Sequence, residues 1–359
     1  MKSSSIVPEM VVGLDVSDEY TQVCMLDAAA EVAEEGRVRT NPTSIRRRFS
    51  SLPRARIALE VGPHSVWLSR LLTELGHEVV VANPRKLRMI YQNDRKSDRA
   101  DAWYLAKVAR LDPQLLGPVQ HRSQHAQVDL ALLRSREALV AARTQLVNHV
   151  RGTVKVYGGR VRKTSTRRFS KIAASAIPVQ LESSLTPLLD TIAHLSTQIR
   201  AYERQMEHLC RERYPQTALL RQVVGVGPVT ALTYVLTIDD PGRFRRSRTL
   251  GSYLGLTCRK SQSGGKDPEL RITKAGDRTL RFLLVQAAHY ILGRFGPDTD
   301  LKRWGLALAS HGRKNAKKRA VVAVARKLAV LLHRLWVTAE VYEPLRNSEP
   351  TRSLAIRTS

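Results

Sequence analysis

Cysteine is scarce in this chain of 359 residues. The 3 cysteines, Cys24, Cys210 and Cys258, lie far apart in the sequence. Such spacing fits neither the disulfide framework of a secreted domain nor the paired cysteines of a zinc knuckle. We therefore expect a protein that works in a reducing cytoplasm.

Long apolar runs are also missing. The first apolar stretch is broken by Pro8, Glu9 and Asp15 before it reaches the length of a signal peptide. The most apolar late stretch, residues 320–332, has Arg326 and Lys327 in its middle, which a membrane span tolerates poorly. The sequence thus predicts no targeting segment and no membrane partner, and it predicts a core helix near residue 330.

Acidic residues are few in relation to basic ones. The chain has 59 Lys and Arg against 32 Asp and Glu, which gives a net charge of +27. Such a surplus favours a polyanionic partner, and nucleic acid is favoured over an anionic membrane because the basic residues are spread from Arg46 to Arg334. A basic surface that is merely solvated is the alternative. Apolar residues make up 43% of the chain, enough for the cores of two or three domains.

The first 112 residues alternate between strand and helix patterns. Short apolar runs with β-branched residues predict strands at residues 10–16, 21–26, 56–61 and 78–82. The first two predict a hairpin, and apolar residues at helical spacing predict a helix over residues 64–75 between the last two. Strand, helix and strand in this order form a parallel unit, so residues 1–112 are predicted to be an α/β domain.

Four carboxylates stand out in this domain. Asp15 and Glu60 lie in apolar strands, while Asp98 and Asp101 are three residues apart in a predicted helix and therefore share one face. If the two strands are neighbours, the four acids can converge and hold one or two Mg²⁺ ions for phosphoryl chemistry. Each acid could instead pair with an arginine, and for any single acid that explanation is the simpler one.

The middle of the chain, residues 113–215, has long helical patterns. Paired leucine and valine residues recur every seven positions up to Gly158, and a second heptad seam runs from Leu181 to Leu209 with Pro187 as its predicted helix start. Together they predict a coiled-coil hairpin that packs internally or between subunits. The basic insert between them, residues 160–171, suits a phosphate backbone and a solvated loop equally well.

Residues 216–342 contain two glycine-rich turns. The first, with Gly225 and Gly227, resembles a helix-hairpin-helix, whose turn amides bind backbone phosphate. In the second, Gly264 and Gly265 would let a phosphate approach the backbone closely. The basic side chains that could neutralise this phosphate are Arg259, Lys260, Lys266 and Lys274.

Ser263 precedes the second glycine pair, and its hydroxyl could attack phosphorus or merely contact phosphate. Without an adjacent histidine or carboxylate base, the residues alone favour contact. Beyond this region, residues 343–359 have Pro344, Pro350 and scattered serines and arginines, a composition that predicts a disordered tail.

Several of these stretches resemble a known family. The segments GLDVS, ALEVG and KSDRADAWYLA are similar to the N-terminal domain of the DEDD transposases of the insertion-sequence family one-ten, also called bridge recombinases, and of the related pilin-gene invertases. The segment GLTCRKSQSGGK, followed by RITKAGDRTLRFLLVQAA, resembles their C-terminal transposase domain. The family commonly has proline where this chain has Cys258, a change that affects loop stiffness and leaves the proposed chemistry untouched.

This resemblance implies a fold and a chemistry. The fold would be an α/β ribonuclease H-like (RuvC-like) N-terminal domain, an α-helical coiled-coil middle and a mainly α-helical C-terminal domain with a helix-hairpin-helix. The catalytic residues would be a metal-binding tetrad with Mg²⁺ (or Mn²⁺) and a serine nucleophile. The tetrad would be Asp15, Glu60, Asp98 and Asp101, and the nucleophile Ser263, with Ser261 as the fallback.

The resemblance also implies partners. These would be DNA at the element ends and the target, a noncoding bridge RNA, and further copies of the chain in a tetramer built as a dimer of dimers. The place of action would be the nucleoid in the bacterial cytoplasm. The alternative function is a Mg²⁺-dependent hydrolytic nuclease of the Holliday-junction type, and a third is a non-catalytic packaging protein.

Overall fold

The computed structural model describes residues 9–87, 97–266, 268, 270–312 and 315–347. Lys96, at the start of the acidic helix stretch, and residues 348–359 of the predicted tail lie outside these ranges. The chain forms two compact units, Met1–His121 and Arg122–Ser359. A finer division after residues 112, 215 and 342 stays a prediction.

The first unit is built on a five-stranded mixed sheet with the order β3-β2-β1-β4-β5. The strands are β1 (Val11–Val16), β2 (Tyr20–Leu26), β3 (Val32–Arg39), β4 (Arg56–Glu60) and β5 (Glu78–Ala82). Strands β1 to β3 pair antiparallel, whereas β1 with β4 and β4 with β5 pair parallel. The predicted hairpin and parallel unit are both confirmed, and the sheet is consistent with a ribonuclease H-like fold.

Helices cover both faces of this sheet. Helices α1 (Pro42–Phe49) and α2 (Ser65–Glu74) pack on the face that presents Val12 and Leu14. Helix α3 (Asp98–Leu111) packs on the opposite face, where Val11 lies. Successive side chains of β1 point to opposite faces, so both faces of this strand are buried.

Two long helices of the second unit form an antiparallel pair, α4 (Gln124–Val156) and α6 (Glu182–Glu212). The first part of α4 packs on the last part of α6 through Leu130 and Met206. The last part of α4 packs on the first part of α6 through Val150 and Leu185. The helical hairpin is therefore present, and its supercoiling into a coiled coil stays a prediction. A short helix, α5 (Phe169–Ala174), lies in the basic insert between them.

Helix α6 begins earlier than the sequence predicts. Pro187 was expected to start it, but the helix begins at Glu182 and Pro187 lies inside. The prediction is wrong: an interior proline costs one helical hydrogen bond and crowds the preceding turn, but apolar residues on both sides of Pro187 are buried and favour the helix. Leu185 and Leu189 are only 2% and 6% exposed.

The rest of the second unit is a bundle of shorter helices around one apolar core. They are α7 (Thr217–Arg221), α8 (Pro228–Ile238), α9 (Leu250–Tyr253), α10 (Arg278–Leu292), α11 (Asp300–Ala309) and α12 (Ala316–Thr338). In this core the fully buried Tyr234 donates its hydroxyl proton to the Ala329 carbonyl at 2.7 Å. Among the described helices, none combines the length and the apolar character needed to cross a membrane.

Residues 343–347, the first part of the predicted disordered tail, pack against the start of α11. The Asp300 N–H donates to the Pro344 carbonyl at 2.8 Å, and the Asp300 carboxylate accepts the Asn347 N–H at 2.7 Å. The first N–H groups of a helix have no partner within it, so the tail carbonyl satisfies one of them. The chain is thus ordered further than its composition predicts.

Candidate active site

Asp15 and Glu60 lie at the same edge of the sheet. Leu14 of β1 pairs with Leu59 of β4 in parallel register, and the two acids are the next residues of their strands. Because side chains alternate along a strand, both acids are on the face that α3 covers. Both side chains are partly buried and interact with other groups. The strands that carry the acids are therefore neighbours, as the predicted cluster requires.

Helix α3 brings Asp98 and Asp101 towards this edge. Arg56, at the start of β4, donates from Nη1 to the carbonyl of Ala109 near the end of α3 at 3.3 Å. Helix and strand therefore run in opposite directions, and the first turn of α3 lies towards the carboxyl ends of β1 and β4. Ser97 caps this turn, since its hydroxyl accepts a backbone N–H of the turn at 3.2 Å.

One glycine sets how closely α3 approaches the sheet. A Cβ added to Gly13 would lie 1.9 Å from the Ala102 carbonyl oxygen and 2.6 Å from the Ala106 nitrogen. No side chain fits that space, so the two backbones touch only because residue 13 is glycine. Asp98 lies one turn before Ala102, and Asp15 follows Gly13 on the same strand face. Sequence reasoning missed Gly13, although an isolated glycine in a strand pattern is a sign of close backbone approach.

The four acids differ in exposure, and their side chains are not gathered around one point. Asp98 is exposed, whereas Asp101 is only 8% exposed. Within the described residues, no three Asp, Glu, His or Cys side chains are close enough to hold one metal ion. Carboxylates are the hard oxygen ligands that Mg²⁺ and Mn²⁺ accept. The four acids fit such an ion in their chemistry, and their convergence on it stays a prediction.

Ser263 lies at the tip of a tight hairpin. Its backbone N–H and carbonyl exchange hydrogen bonds with Lys266 at 3.3 and 3.0 Å. Gly264 and Gly265 have positive φ values of 53° and 79°, as a two-residue type I′ turn requires. Ser263 and the fallback Ser261 are both exposed. The turn therefore presents the Ser263 hydroxyl to solvent.

Below this turn, the two arms of the hairpin pair with each other. The Arg259 N–H donates to the Arg271 carbonyl at 3.0 Å, and the Thr273 N–H to the Thr257 carbonyl at 2.9 Å. We call the described residues 257–266, 268 and 270–273 the serine hairpin. The predicted phosphate-neutralising side chains are all exposed on it or directly after it, namely Arg259, Lys260, Lys266 and Lys274.

Two further glycines fix the base of the serine hairpin to the bundle. A Cβ on Gly255 would lie 2.1 Å from the Ala275 nitrogen, and one on Gly276 would lie 2.0 Å from the Tyr253 carbonyl oxygen. Both glycines have positive φ, at 66° and 70°. The segments that enter and leave the hairpin therefore cross in direct backbone contact, and the hairpin leaves the bundle from a fixed point.

The other predicted phosphate-binding turn connects α7 to α8. Gly225 has a φ of 97° and lies against α10, because an added Cβ would be 3.3 Å from the Ala287 carbonyl oxygen. Gly227 caps α8, and an added Cβ there would meet nothing within 4 Å. Helix, glycine turn and helix follow in the predicted order. Phosphate binding by this turn, and its assignment as a helix-hairpin-helix, stay predictions.

Comparison with known proteins points to one class. A DEDD transposase family model matches residues 12–158, and a model described as the transposase IS116/IS110/IS902 family matches residues 217–302. A Pseudomonas aeruginosa relative named as a family 20 transposase is 29% identical and aligns over 93% of this chain and 98% of its own. The Coxiella burnetii transposase for insertion sequence element IS1111A is 28% identical over 92% of this chain and 91% of its own.

A third relative, named as transposase y4pF/y4sB of Sinorhizobium fredii, is 30% identical over 84% of this chain and 78% of its own. An acid-bearing α/β unit followed by a helical unit, with matches of this extent in both, defines a transposase, an enzyme that recombines DNA. The chain belongs to the IS116/IS110/IS902 family of transposases.

Proposed function

We propose that this transposase cleaves and rejoins DNA strands with Ser263 as its nucleophile. The observation that carries this proposal is the serine hairpin, which presents an exposed hydroxyl at a two-residue glycine turn and has a fixed base. Because Gly264 and Gly265 have no side chains, a phosphate can approach the backbone beside Ser263. The basic side chains around the turn would neutralise the charge of that phosphate.

In the proposed reaction, the Oγ atom of Ser263 attacks the phosphorus of a DNA phosphodiester. One Oγ–P bond forms and one P–O bond of the strand breaks. The serine proton is released, and the displaced strand oxygen ends as a hydroxyl. Because the number of phosphate ester bonds is unchanged, a strand hydroxyl can reverse the attack and rejoin DNA without an external energy source. Hydrolysis would not allow this.

We further propose that Asp15, Glu60, Asp98 and Asp101 hold Mg²⁺ or Mn²⁺ for the same reaction. A bound divalent cation would stabilise the negative charge that develops on the phosphate oxygens. The support from this chain is the common sheet edge of Asp15 and Glu60 and the close packing of α3, which carries Asp98 and Asp101, at Gly13. The exposed side chain of Asp98 leaves a route by which an ion can enter.

The proposed partners are DNA, a bridge RNA that pairs with the element ends and the target, and three further copies of the chain. The net charge of +27 supports the binding of extensive phosphate backbone. The basic insert and the turn with Gly225 and Gly227 are proposed to contribute to that binding.

The serine proposal is tested with the full chain, Mg²⁺ and supercoiled DNA that carries the element ends. Ser263→Ala should lower cleavage by at least about a thousandfold and abolish the covalent protein–DNA adduct seen on a denaturing gel. Ser261→Ala, in the same hairpin, should keep both. Cleavage at the normal rate by Ser263→Ala would contradict the proposal, and the absence of a covalent adduct would then favour the hydrolytic nuclease.

The acids are tested by titration calorimetry with Mg²⁺ and by cleavage. Asp15→Asn and Asp98→Asn should lose both the heat of Mg²⁺ binding and the cleavage, while DNA binding is retained. A parent protein that shows neither Mg²⁺ heat nor cleavage, together with variants that bind DNA as the parent does, would favour acids paired to arginines and a packaging role.

RNA guidance is tested by sequencing the RNA that co-purifies with the protein, together with the DNA that flanks its gene. A defined noncoding RNA whose loops match both the element ends and the insertion site is the expected result. A random RNA sample would contradict guidance and leave the serine chemistry unaffected.

A further inference from the structure

A second basic segment lies directly before the serine hairpin and was not among the predicted sites. Residues 240–249 join α8 to α9, and we call them the arginine loop. The arginines of this loop are Arg243, Arg245, Arg246 and Arg248. The last three are exposed. Four arginines within six residues create a strong local positive charge, which attracts anionic ligands.

The acids next to the arginine loop are committed to other donors. The Asp239 carboxylate accepts two hydrogen bonds from Ser123, one from its backbone N–H at 2.6 Å and one from its side-chain hydroxyl at 2.8 Å. Asp240 accepts the N–H of Gly242 at 2.8 Å. In the part of the chain that the structure describes, no carboxylate pairs with the three exposed arginines.

Three exposed arginines elsewhere in the same unit do have carboxylate partners and serve as a comparison. Arg303 lies 2.5 Å from the Asp298 carboxylate, and Arg334 and Arg346 lie 3.1 and 3.3 Å from the Glu340 carboxylate. The charge of those arginines is compensated within the protein. Among the described residues, no carboxylate compensates the charge of Arg245, Arg246 and Arg248 in this way.

The arginine loop has a fixed shape because a buried histidine holds it. His333 of α12 is 2% exposed, with Nε2 at 3.0 Å from the Pro241 carbonyl and Nδ1 at 2.9 Å from the Ser247 hydroxyl. A carbonyl can only accept, so Nε2 donates, and in the neutral ring Nδ1 then accepts from the serine. Between these two bonds, Phe244 packs edge-on against His333, with 6.0 Å between the ring centres. The guanidinium groups therefore project from a loop whose conformation is set before a ligand arrives.

The arginine loop and the serine hairpin share one base. Phe244 of the loop also packs edge-on against Tyr253, the last residue of α9, at 5.0 Å between ring centres. The carbonyl oxygen of Tyr253 is the atom that Gly276 approaches at the base of the serine hairpin. A helix of 4 residues separates the loop from the residues that lead into the hairpin. The two basic segments are thus held in a fixed relation.

We propose that the arginine loop binds the phosphate backbone of duplex DNA beside the phosphate that Ser263 attacks. Guanidinium groups match phosphate oxygens with paired N–H donors, and a preset loop loses little conformational freedom on binding. By holding the flanking backbone, the loop positions the strand relative to the serine hairpin. This role rests on the proposed serine chemistry, which makes DNA the substrate at this place.

The experiment measures DNA binding by fluorescence anisotropy across a range of KCl concentrations, with a duplex of arbitrary sequence. All proteins are full chains with Ser263→Ala, so that binding is observed without cleavage. The loop variant has Arg245→Gln, Arg246→Gln and Arg248→Gln. The control variant has Arg303→Gln, Arg334→Gln and Arg346→Gln, which removes the same charge from arginines that carboxylates already compensate.

We expect the loop variant to bind DNA at least about tenfold more weakly than the parent at low salt. The magnitude of the slope of log affinity against log salt should fall by about 2 to 3, because each phosphate that is no longer neutralised removes about 0.9. The control variant should have nearly the same affinity at low salt and the same salt slope as the parent. Replacing the same three loop arginines by lysine should restore most of the slope, which a purely structural role of the loop would not predict.

Equal losses in the loop and control variants would overturn the proposal, as would an unchanged slope in the loop variant. Unchanged binding of the DNA duplex, together with weaker binding of a single-stranded RNA measured in the same way, would assign the loop to a different nucleic acid and would also overturn the proposal. The serine chemistry is judged separately: if Ser263→Ala still cuts DNA, the proposed function fails while the measured binding by the loop stands on its own.

Discussion

Gly13 has no chemistry of its own, yet the position of the acids depends on it. The atoms that an added Cβ would meet belong to the backbone of α3, so they cannot move aside as a flexible side chain would. We expect Gly13→Ala to lower the free energy of unfolding by about 2–4 kcal/mol, in urea denaturation, and to reduce cleavage strongly as α3 is displaced.

Gly36→Ala is the matched control for this prediction. Gly36 also lies in a strand, and an added Cβ there would meet nothing within 4 Å. Its unfolding free energy should stay within about 1 kcal/mol of the parent. Equal midpoints for the two variants would show that α3 does not rest on β1 as closely as described.

The three cysteines should differ sharply in reactivity. Burial, reinforced by the charge of Glu35, raises the pKa of Cys24 to about 11, and burial also raises the pKa of Cys210. Cys258 is exposed. Because the thiolate is the reactive form, a chromogenic disulfide reagent at pH 8 should label one thiol quickly and the other two only on unfolding. Cys258→Ser should abolish the fast phase, and two fast thiols would contradict the burial of Cys24 and Cys210.

The raised pKa of Cys24 also makes the stability of the fold depend on pH. The unfolded thiol loses its proton near its ordinary pKa of 9.0, whereas the folded thiol keeps it until the pH is about 11. The contribution of Cys24 to stability is therefore fully present below pH 9 and declines as the pH rises towards 11.

At the scale of secondary-structure elements, the second unit depends on one buried carboxylate. Asp129, near the start of α4, accepts from Nη1 of Arg213 at 2.9 Å and from the Tyr214 hydroxyl at 2.6 Å, both directly after α6. Burial and the bond to Asp129 raise the pKa of Tyr214 far above its ordinary value, so the hydroxyl stays a donor. The three groups tie the two long helices together at one end.

Asp129→Asn should therefore lower the free energy of unfolding by about 2–3 kcal/mol in urea denaturation, because an amide replaces the charged acceptor and turns donors towards Arg213. Tyr214→Phe removes one hydrogen bond to Asp129 and leaves the ion pair with Arg213. This variant should therefore lower the free energy of unfolding by about 1 kcal/mol. An Asn variant as stable as the parent would mean that the helix pair is held by its apolar contacts alone.

Elements with a buried face were predictable from the sequence, and elements at the margin were not. Strands β1, β2, β4 and β5 and helix α2 each have an apolar pattern that burial requires. Strand β3 was missed because it is an edge strand with Glu34, Glu35 and Arg37. Helix α1 was missed because only Ile45 and Phe49 are buried in its 8 residues, which is too few for a visible period.

The candidate site was predictable in its residue types and not in its supports. Carboxylates inside apolar strands and a Ser-Gly-Gly sequence are local signals. The contact of Gly13 with Ala102 joins residues far apart in the chain, and the crossing of Gly255 and Ala275 depends on how the bundle packs. In the sequence, the only sign of such a contact between distant backbone segments is a single glycine.

At the scale of the whole molecule, the net charge of +27 affects assembly. Like-charged copies repel one another, so the proposed tetramer should need nucleic acid or high salt to form. Light scattering should give a protein mass of about 161 kDa, four times 40.3 kDa, when duplex DNA or co-purified RNA is present, and a lower mass without it at low salt. A mass of 40.3 kDa under every condition would contradict the tetramer.

The two glycine crossings beneath the serine hairpin also have an evolutionary consequence. The joint is made by backbone atoms, so it imposes no requirement on the side chains further out on the arm. Described residues of the hairpin other than Ser263 and the Gly264–Gly265 turn can therefore change among related mobile elements without loss of the fold. The serine hairpin is therefore an exchangeable segment. A hairpin grafted from a relative with different element ends could bring new substrate contacts to an unaltered helical bundle.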